Sequence, residues 1–111
     1  MGAFDKVRGR ASCPRCHSSV EVVGQFKFGN VRQLDYQVGD TLRWGGNDVG
    51  HPGLRHVVVD VVADGPCARC GFSEEWDLYL HVRHGVLERI ETATGQHDFM
   101  REGKTYIVLD E

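Results

Sequence analysis

Cys13-Pro14-Arg15-Cys16 and Cys67-Ala68-Arg69-Cys70 hold all four cysteines of this 111-residue chain, as two Cys-x-x-Cys pairs separated by 50 residues. A turn of that length directs two thiolates toward a common centre. Two such turns that face each other supply four sulfurs, the ligand set that tetrahedral zinc prefers at about 2.3 Å per Zn–S bond. We therefore predict one zinc site, with the ligands Cys13, Cys16, Cys67 and Cys70.

The two cysteine pairs resemble the knuckles of zinc-ribbon, or rubredoxin-like, proteins. Cys-Pro-x-Cys and Cys-x-x-Cys-Gly are typical forms of these knuckles, and Gly71 completes the second form here. The resemblance implies that each knuckle lies at a strand hairpin and that both clamp one metal ion. Because the usual spacing between such pairs is about 15–20 residues, we expect a β-meander to leave the first knuckle and return to the second.

Alternating apolar residues predict that the rest of the chain is all-β. Val20, Val22, Phe26 and Phe28 fall on one parity, which is typical of a half-buried strand, and Gly24 within this stretch indicates a bulge or a close backbone contact. Further strands are predicted at 34–38, 41–44, 55–63, 76–83, 86–92 and 105–109, with His84-Gly85 as a hairpin turn. We expect a single domain over residues 1–111, in which residues 1–12 form a flexible basic arm or a short strand.

Composition favours a small globular domain that a structural metal would stabilise. Hydrophobic residues make up 41% and charged residues 26% of the chain, so it can bury a modest core. No apolar run is long enough to span a membrane, and the N-terminus has no apolar stretch of a secretory signal. Four paired cysteines without an export signal indicate reduced, metal-bound thiols, and we expect a cytoplasmic protein.

The cysteines allow four other interpretations. A thioredoxin-like redox motif needs the second cysteine, Cys16, inside a helix, whereas residues 18–23 continue as a strand. The stretch Cys13-Pro14-Arg15-Cys16-His17 matches a c-type haem attachment sequence but leaves the second pair unexplained. Structural disulfides are at odds with the missing export signal. Iron in the same Cys₄ site would make an electron carrier, since tetrahedral sulfur ligation suits iron as well as zinc.

The sequence contains no recognisable catalytic motif, and we expect a non-enzymatic protein. The first hypothesis is a protein–protein interaction module that uses an exposed strand edge or the turn-rich loop at residues 45–53; a homodimer is compatible with it. The second is nucleic-acid binding, because residues 1–33 carry six Lys/Arg and two acids. Its candidate contacts are Arg8, Arg10, Arg15, Lys27 and Arg32.

The histidines match no metal-binding spacing in this β context. His81 and His84 flank a predicted hairpin turn, where we expect both side chains to be exposed to solvent. His51 and His56 flank Pro52-Gly53 at the end of the turn-rich loop, where together with Asp48 they would form a loop site.

Overall fold

The computed structural model describes residues 4–45, 48–97, 99 and 105–110, and this part of the chain is nearly all β, as the sequence predicts. Its strands are β1 (Asp5–Ser12), β2 (Ser19–Phe26), β3 (Gly29–Asn30), β4 (Asp35–Gln37), β5 (Asp48–Val49), β6 (His56–Ala63), β7 (Asp77–Arg83), β8 (Val86–Thr92) and β9 (Tyr106–Asp110). No helix in this part of the chain is long and apolar enough to cross a membrane.

Two antiparallel hairpins form the framework of the main sheet, whose strand order is β4-β1-β2-β6-β7-β8. The β1–β2 hairpin joins the β6–β7–β8 meander through only two residue pairs, Gly24 with Ala63 and Gln25 with Val62. β4 runs parallel to β1. β9 pairs with the first half of β6, and β3 and β5 form a separate two-stranded sheet.

The main sheet curls until its two ends meet. The segment after β4 hydrogen-bonds to the start of β8, from Gly39 N to Leu87 O at 2.7 Å and from Leu42 N to Gly85 O at 2.8 Å. In place of the strand predicted at 41–44, the structure has a single bridge, between Thr41 and Val86. The curl encloses one core, because the inward-facing apolar side chains of every long strand point to the same interior.

The apolar parity read from the sequence defines this interior. Val20, Val22, Phe26 and Phe28 are buried, as predicted. Gly24 lies on the same parity, and a Cβ placed on it would come within 2.2 Å of Val61 Cγ1. The predicted close backbone contact at this glycine is therefore confirmed, and it brings β2 against β6.

Of the two forms predicted for residues 1–12, a flexible arm or a short strand, the structure shows a strand at residues 5–12 that is longer than expected. These residues form β1, which lies between β2 and β4. Val7 is fully buried and Ala11 is buried too, so the strand is held by its alternate small apolar side chains while its basic side chains point outward. Residues 1–3 lie outside the described part of the chain.

The prediction that His81 is exposed was wrong. Tyr79 and His81 lie on the outer face of β7, yet both are buried. The segment after β8 covers Tyr79: Gly95 N and His97 N each donate a hydrogen bond to Tyr79 Oη at 3.1 Å, and the rings of His97 and Phe99 pack on the Tyr79 ring. This crossing buries Tyr79, while His81 lies between the side chains of His56 and Glu91. Alternation alone assigns both residues to solvent.

Candidate metal centre

The two Cys-x-x-Cys knuckles are the turns of two hairpins, β1–β2 and β6–β7. Their backbones close in the same way. In the first, His17 N donates to Cys13 O and Cys13 N donates to Ser18 O, at 2.9 and 3.0 Å. In the second, Gly71 N donates to Cys67 O and Cys67 N donates to Phe72 O, both at 2.9 Å. The knuckles are thus two copies of one local structure, placed on adjacent hairpins.

The four predicted ligands come together at one point. The sulfur atoms of Cys13 and Cys70 are 3.7 Å apart and those of Cys16 and Cys67 are 3.9 Å apart. All four sulfur atoms lie within 4.8 Å of one another. A tetrahedral site with metal–sulfur bonds of about 2.3 Å has sulfur–sulfur edges of about 3.8 Å. The arrangement therefore fits a single metal ion held by four cysteines.

Backbone amides prepare this group of sulfurs for a cation. In each knuckle the amide of the second intervening residue points at the first cysteine: Arg15 N lies 3.4 Å from Cys13 Sγ, and Arg69 N lies 3.4 Å from Cys67 Sγ. Amide hydrogen bonds favour the thiolate form of a cysteine. The first sulfur of each pair is also buried, so its charge is shielded from water.

The four thiols do not ionise alike. A backbone hydrogen bond from Ser18 lowers the pKa of Cys16 to about 6, and backbone hydrogen bonds from Cys70 and Arg69 lower the pKa of Cys67. The amide of Phe72 also lowers the pKa of Cys70, but desolvation and the three neighbouring sulfurs outweigh it and raise this pKa to about 11. Four negative charges this close repel one another, so a bound cation is what allows all four cysteines to be thiolates.

This geometry also weighs against the rival interpretations of the cysteines. All four cysteines are free, and the closest sulfurs are too far apart for a disulfide bond of about 2.05 Å. Ser19–Phe26 is a strand, so the helix that a thioredoxin-like site requires after Cys16 does not follow it. Zinc and iron both fit four sulfurs in a tetrahedron, and the sulfur positions do not distinguish them.

His17 occupies a position of unusual backbone conformation in the first knuckle, which the spacing of the cysteines does not reveal. The residue after the second cysteine of each knuckle has a positive φ, 60° at His17 and 77° at Gly71. His17 therefore stands where the second knuckle has glycine, and its side chain is exposed. The Cys-x-x-Cys-Gly form of the second knuckle was the signal that could have identified this position in the first.

The five basic residues predicted as nucleic-acid contacts do not lie together. Arg8 and Arg10 are exposed on β1, with Glu21 across from Arg10 and 3.8 Å from Arg8. Arg15 lies in the first knuckle. Lys27 and Arg32 lie at the other end of the β1–β2 hairpin, since Phe26 pairs with Asp5 and Arg32 N donates to the Asp5 carboxylate. An eight-residue strand separates the two ends by about 23 Å.

The end of the curled sheet opposite the knuckles contains an apolar groove of about 330 Å³. His51, Pro52 and Gly53 of the turn-rich loop form one wall, and His84 of the β7–β8 turn lies at the rim. Its apolar lining consists of Phe28, Leu42, Trp44, Leu54, Val57 and Val82. The predicted grouping of Asp48, His51 and His56 is not among the metal-binding clusters of the described residues.

The fold and the cysteine cluster together define a four-cysteine metal-binding module with a nearly all-β structure. No protein-family model, curated protein or solved structure matches the chain.

Proposed function

We propose that the chain is a non-enzymatic protein–protein interaction module whose fold is stabilised by one structural zinc ion. The four-sulfur cluster carries the proposal, because a site with four protein ligands leaves no open position for a water or a substrate. The metal in such a site links two hairpins and performs no reaction. A reducing compartment such as the cytoplasm would keep the four thiols available for the ion.

Metal content and stability test the structural role. We expect one zinc per chain by elemental analysis, and a thermal transition that falls sharply when a strong chelator removes the metal. Cys67→Ser should lose the metal, whereas Arg15→Ala, an exposed change in the first knuckle, should retain it. A metal-free protein whose melt does not respond to chelator would overturn the proposal.

The apolar groove is the surface that best suits a partner. Leu54 and Trp44 are only partly buried there, and among the described residues no acidic side chain lines the groove. An apolar side chain of a partner could fill such a concave site. Leu54→Glu should therefore abolish the capture of a discrete partner, while Val62→Glu, on an exposed apolar residue of β6 outside the groove, should not. Equal capture by both variants would refute this contact surface.

Iron in the same site is the second candidate, because the ligand set suits an electron carrier equally well. Colour separates the two metals: an iron–thiolate protein is red when freshly purified, and a zinc protein is colourless. The nucleic-acid hypothesis is tested by binding at low salt, where phosphate contacts are strongest. Given the separation of Arg15 from Lys27 and Arg32, we expect no strongly salt-dependent binding.

A further inference from the structure

Four polar side chains form a continuous chain of contacts across β6, β7 and β8, at the end of the sheet away from the metal centre. His81 Nε2 lies 2.5 Å from Glu91 Oε1, and His81 Nδ1 lies 3.1 Å from His56 Nε2. The other nitrogen of His56, Nδ1, lies 3.4 Å from Arg83 Nη2. We name this set the histidine relay; its members are Arg83, His56, His81 and Glu91.

The chemistry of the two ends fixes the direction of every hydrogen bond in the relay. Arg83 can only donate, so His56 Nδ1 accepts and its proton lies on Nε2. His56 Nε2 then donates to His81 Nδ1, which leaves His81 Nε2–H to donate to the Glu91 carboxylate. Both imidazoles are therefore neutral in the Nε2–H form, and together they connect a cation to an anion.

The backbone around the relay supports a specific arrangement. The register of β6 against β9 shifts between His56 and Val57, and the register of β7 against β8 shifts between His81 and Val82. Such irregularities turn side chains that a regular ladder would direct elsewhere. His81 is 4% exposed, so this imidazole depends on its two partners rather than on water to satisfy its nitrogens.

We propose that the histidine relay is an acid-sensitive latch that holds the start of β6 against β7, β8 and the end of β9. A proton added to His81 Nδ1 would face the N–H of His56 across 3.1 Å. A proton added to His56 Nδ1 would instead face Arg83. Either step replaces a hydrogen bond by repulsion between donors, so neither imidazole can accept a proton and keep its contacts in the relay.

The charges around His56 favour the neutral relay at pH 7. Burial, followed by the charge of Arg83, lowers the pKa of His56. β8 carries both acidic and basic side chains near the relay, namely Glu88, Arg89 and Glu91. β9 contributes the acidic residue Asp110, which pairs with His56 in register. Because the folded-state pKa lies below that of the unfolded chain, the stability of the relay is complete above about pH 6.5 and is lost as the pH falls through the lowered value.

Two backbone hydrogen bonds report directly on the latch. Arg55 N donates to Asp110 O at 3.1 Å and ties β6 to the end of β9, while His84 N donates to Arg55 O at 2.8 Å and ties β6 to the β7–β8 turn. If acid opens the relay, these two amides should lose protection from hydrogen exchange before the knuckle amides of Cys13 and Cys67 do. The latter report on the metal centre.

Nuclear magnetic resonance of the full, zinc-loaded chain tests the proposal. At pH 7.5 we expect His56 and His81 to be neutral Nε2–H tautomers; at pH 5.5 we expect the protection factors of the Arg55 and His84 amides to fall about tenfold, the order expected when a buried hydrogen bond is lost. His56→Gln should remove most of this pH dependence. His51→Gln, on an exposed loop histidine, should leave it unchanged.

Three results would overturn the latch. The first is a cationic His81, or one protonated on Nδ1, at pH 7.5. The second is protection of Arg55 and His84 that stays constant down to pH 5.5. The third is simultaneous loss of protection at the knuckle amides, which would mean that acid acts by releasing the metal. The tautomers are read from the wild-type chain, so the first result does not depend on whether a variant folds.

Discussion

His17 and Gly71 follow the second cysteine of their knuckles and share a left-handed backbone conformation. An L side chain in that conformation costs about 1–2 kcal/mol. Glycine removes this strain, but its greater flexibility in the unfolded chain offsets part of the gain. We therefore expect His17→Gly to stabilise the zinc-loaded protein by about 0.5–1 kcal/mol. Urea unfolding at pH 7.5 measures this change.

The second knuckle supplies the matched experiment. Nothing lies within 4 Å of a Cβ built on Gly71, so Gly71→Ala tests backbone strain without a steric clash. It should destabilise the protein by about 1 kcal/mol. If His17→Gly is instead destabilising while Gly71→Ala behaves as expected, the His17 side chain has a role in the knuckle beyond its backbone conformation.

Asp5 is a buried carboxylate that organises the loop before β4. Its Oδ1 atom accepts hydrogen bonds from Arg32 N at 3.1 Å and Leu34 N at 2.8 Å, and burial raises its pKa. Asp5→Ala leaves two backbone amides without this acceptor, and we expect a loss of about 2 kcal/mol. Asp5→Asn keeps an oxygen acceptor and removes the charge.

The pH dependence of Asp5→Asn follows from the sign of the shift. A carboxyl group with a raised folded-state pKa contributes stability below its unfolded pKa of about 3.9 and loses that contribution as the pH rises through the folded value. Asp5→Asn has no carboxyl group at this position, so its stability does not fall in this way as the pH rises. Its stability relative to wild type should therefore increase between pH 4.5 and 7.5 in parallel urea titrations, and a constant difference would refute the assignment.

At the scale of elements, Gly24 shows how closely β2 and β6 approach. A methyl group here would overlap Val61 Cγ1, on a fully buried side chain. We expect Gly24→Ala to cost about 1–3 kcal/mol, the range typical of overpacking. In a Val61→Ala background the obstructing atom is gone, so the same change should cost clearly less. A double-mutant cycle measures the coupling, and additive effects would contradict the contact.

The strands differ in how far their sequences reveal them. β6 is rich in β-branched residues and β7 alternates apolar and polar residues, and the predicted and observed bounds of β6, β7 and β8 nearly coincide. β1 was missed as a full strand because its inward positions carry Asp5, Val7, Gly9 and Ala11, which give a weak apolar signal. Close packing against β8 leaves no room for a side chain at Gly9, since a Cβ there would lie 2.6 Å from Ile90 Cγ2.

The two sites were not equally visible in the sequence. The cluster of four cysteines could be predicted because each knuckle is a local motif that the sequence shows directly. The histidine relay could not, because His56, His81 and Glu91 meet only through the register of three strands and two register shifts. The burial of Tyr79 and His81 likewise depends on long-range packing that period-two alternation does not encode.

At the scale of the whole molecule, a metal ion held by the four cysteines would reinforce the place where the sheet has the fewest strand pairs. β1 and β2 pair along eight residues and β6 and β7 along seven, whereas β2 and β6 share only two pairs. The four cysteines bridge this junction, with two ligands from each hairpin. Loss of the metal should therefore separate the hairpins first at their knuckle ends, where sulfur repulsion replaces metal–sulfur bonds.

Hydrogen exchange during stepwise removal of the metal by a chelator measures that order. We expect the amides of Cys13, Cys67, His17 and Gly71 to lose protection first, while Leu42 and Leu87, which close the opposite end of the sheet, retain theirs until the global transition. Apparent zinc-binding free energies in zinc-finger peptides are about 10–16 kcal/mol. They are as large as the free energy of unfolding of a whole domain, which is about 5–15 kcal/mol. Full removal should therefore abolish cooperative folding. If the knuckle amides remain protected without metal, the hairpins hold the cysteines together unaided, and the ion is bound by the fold rather than required for it.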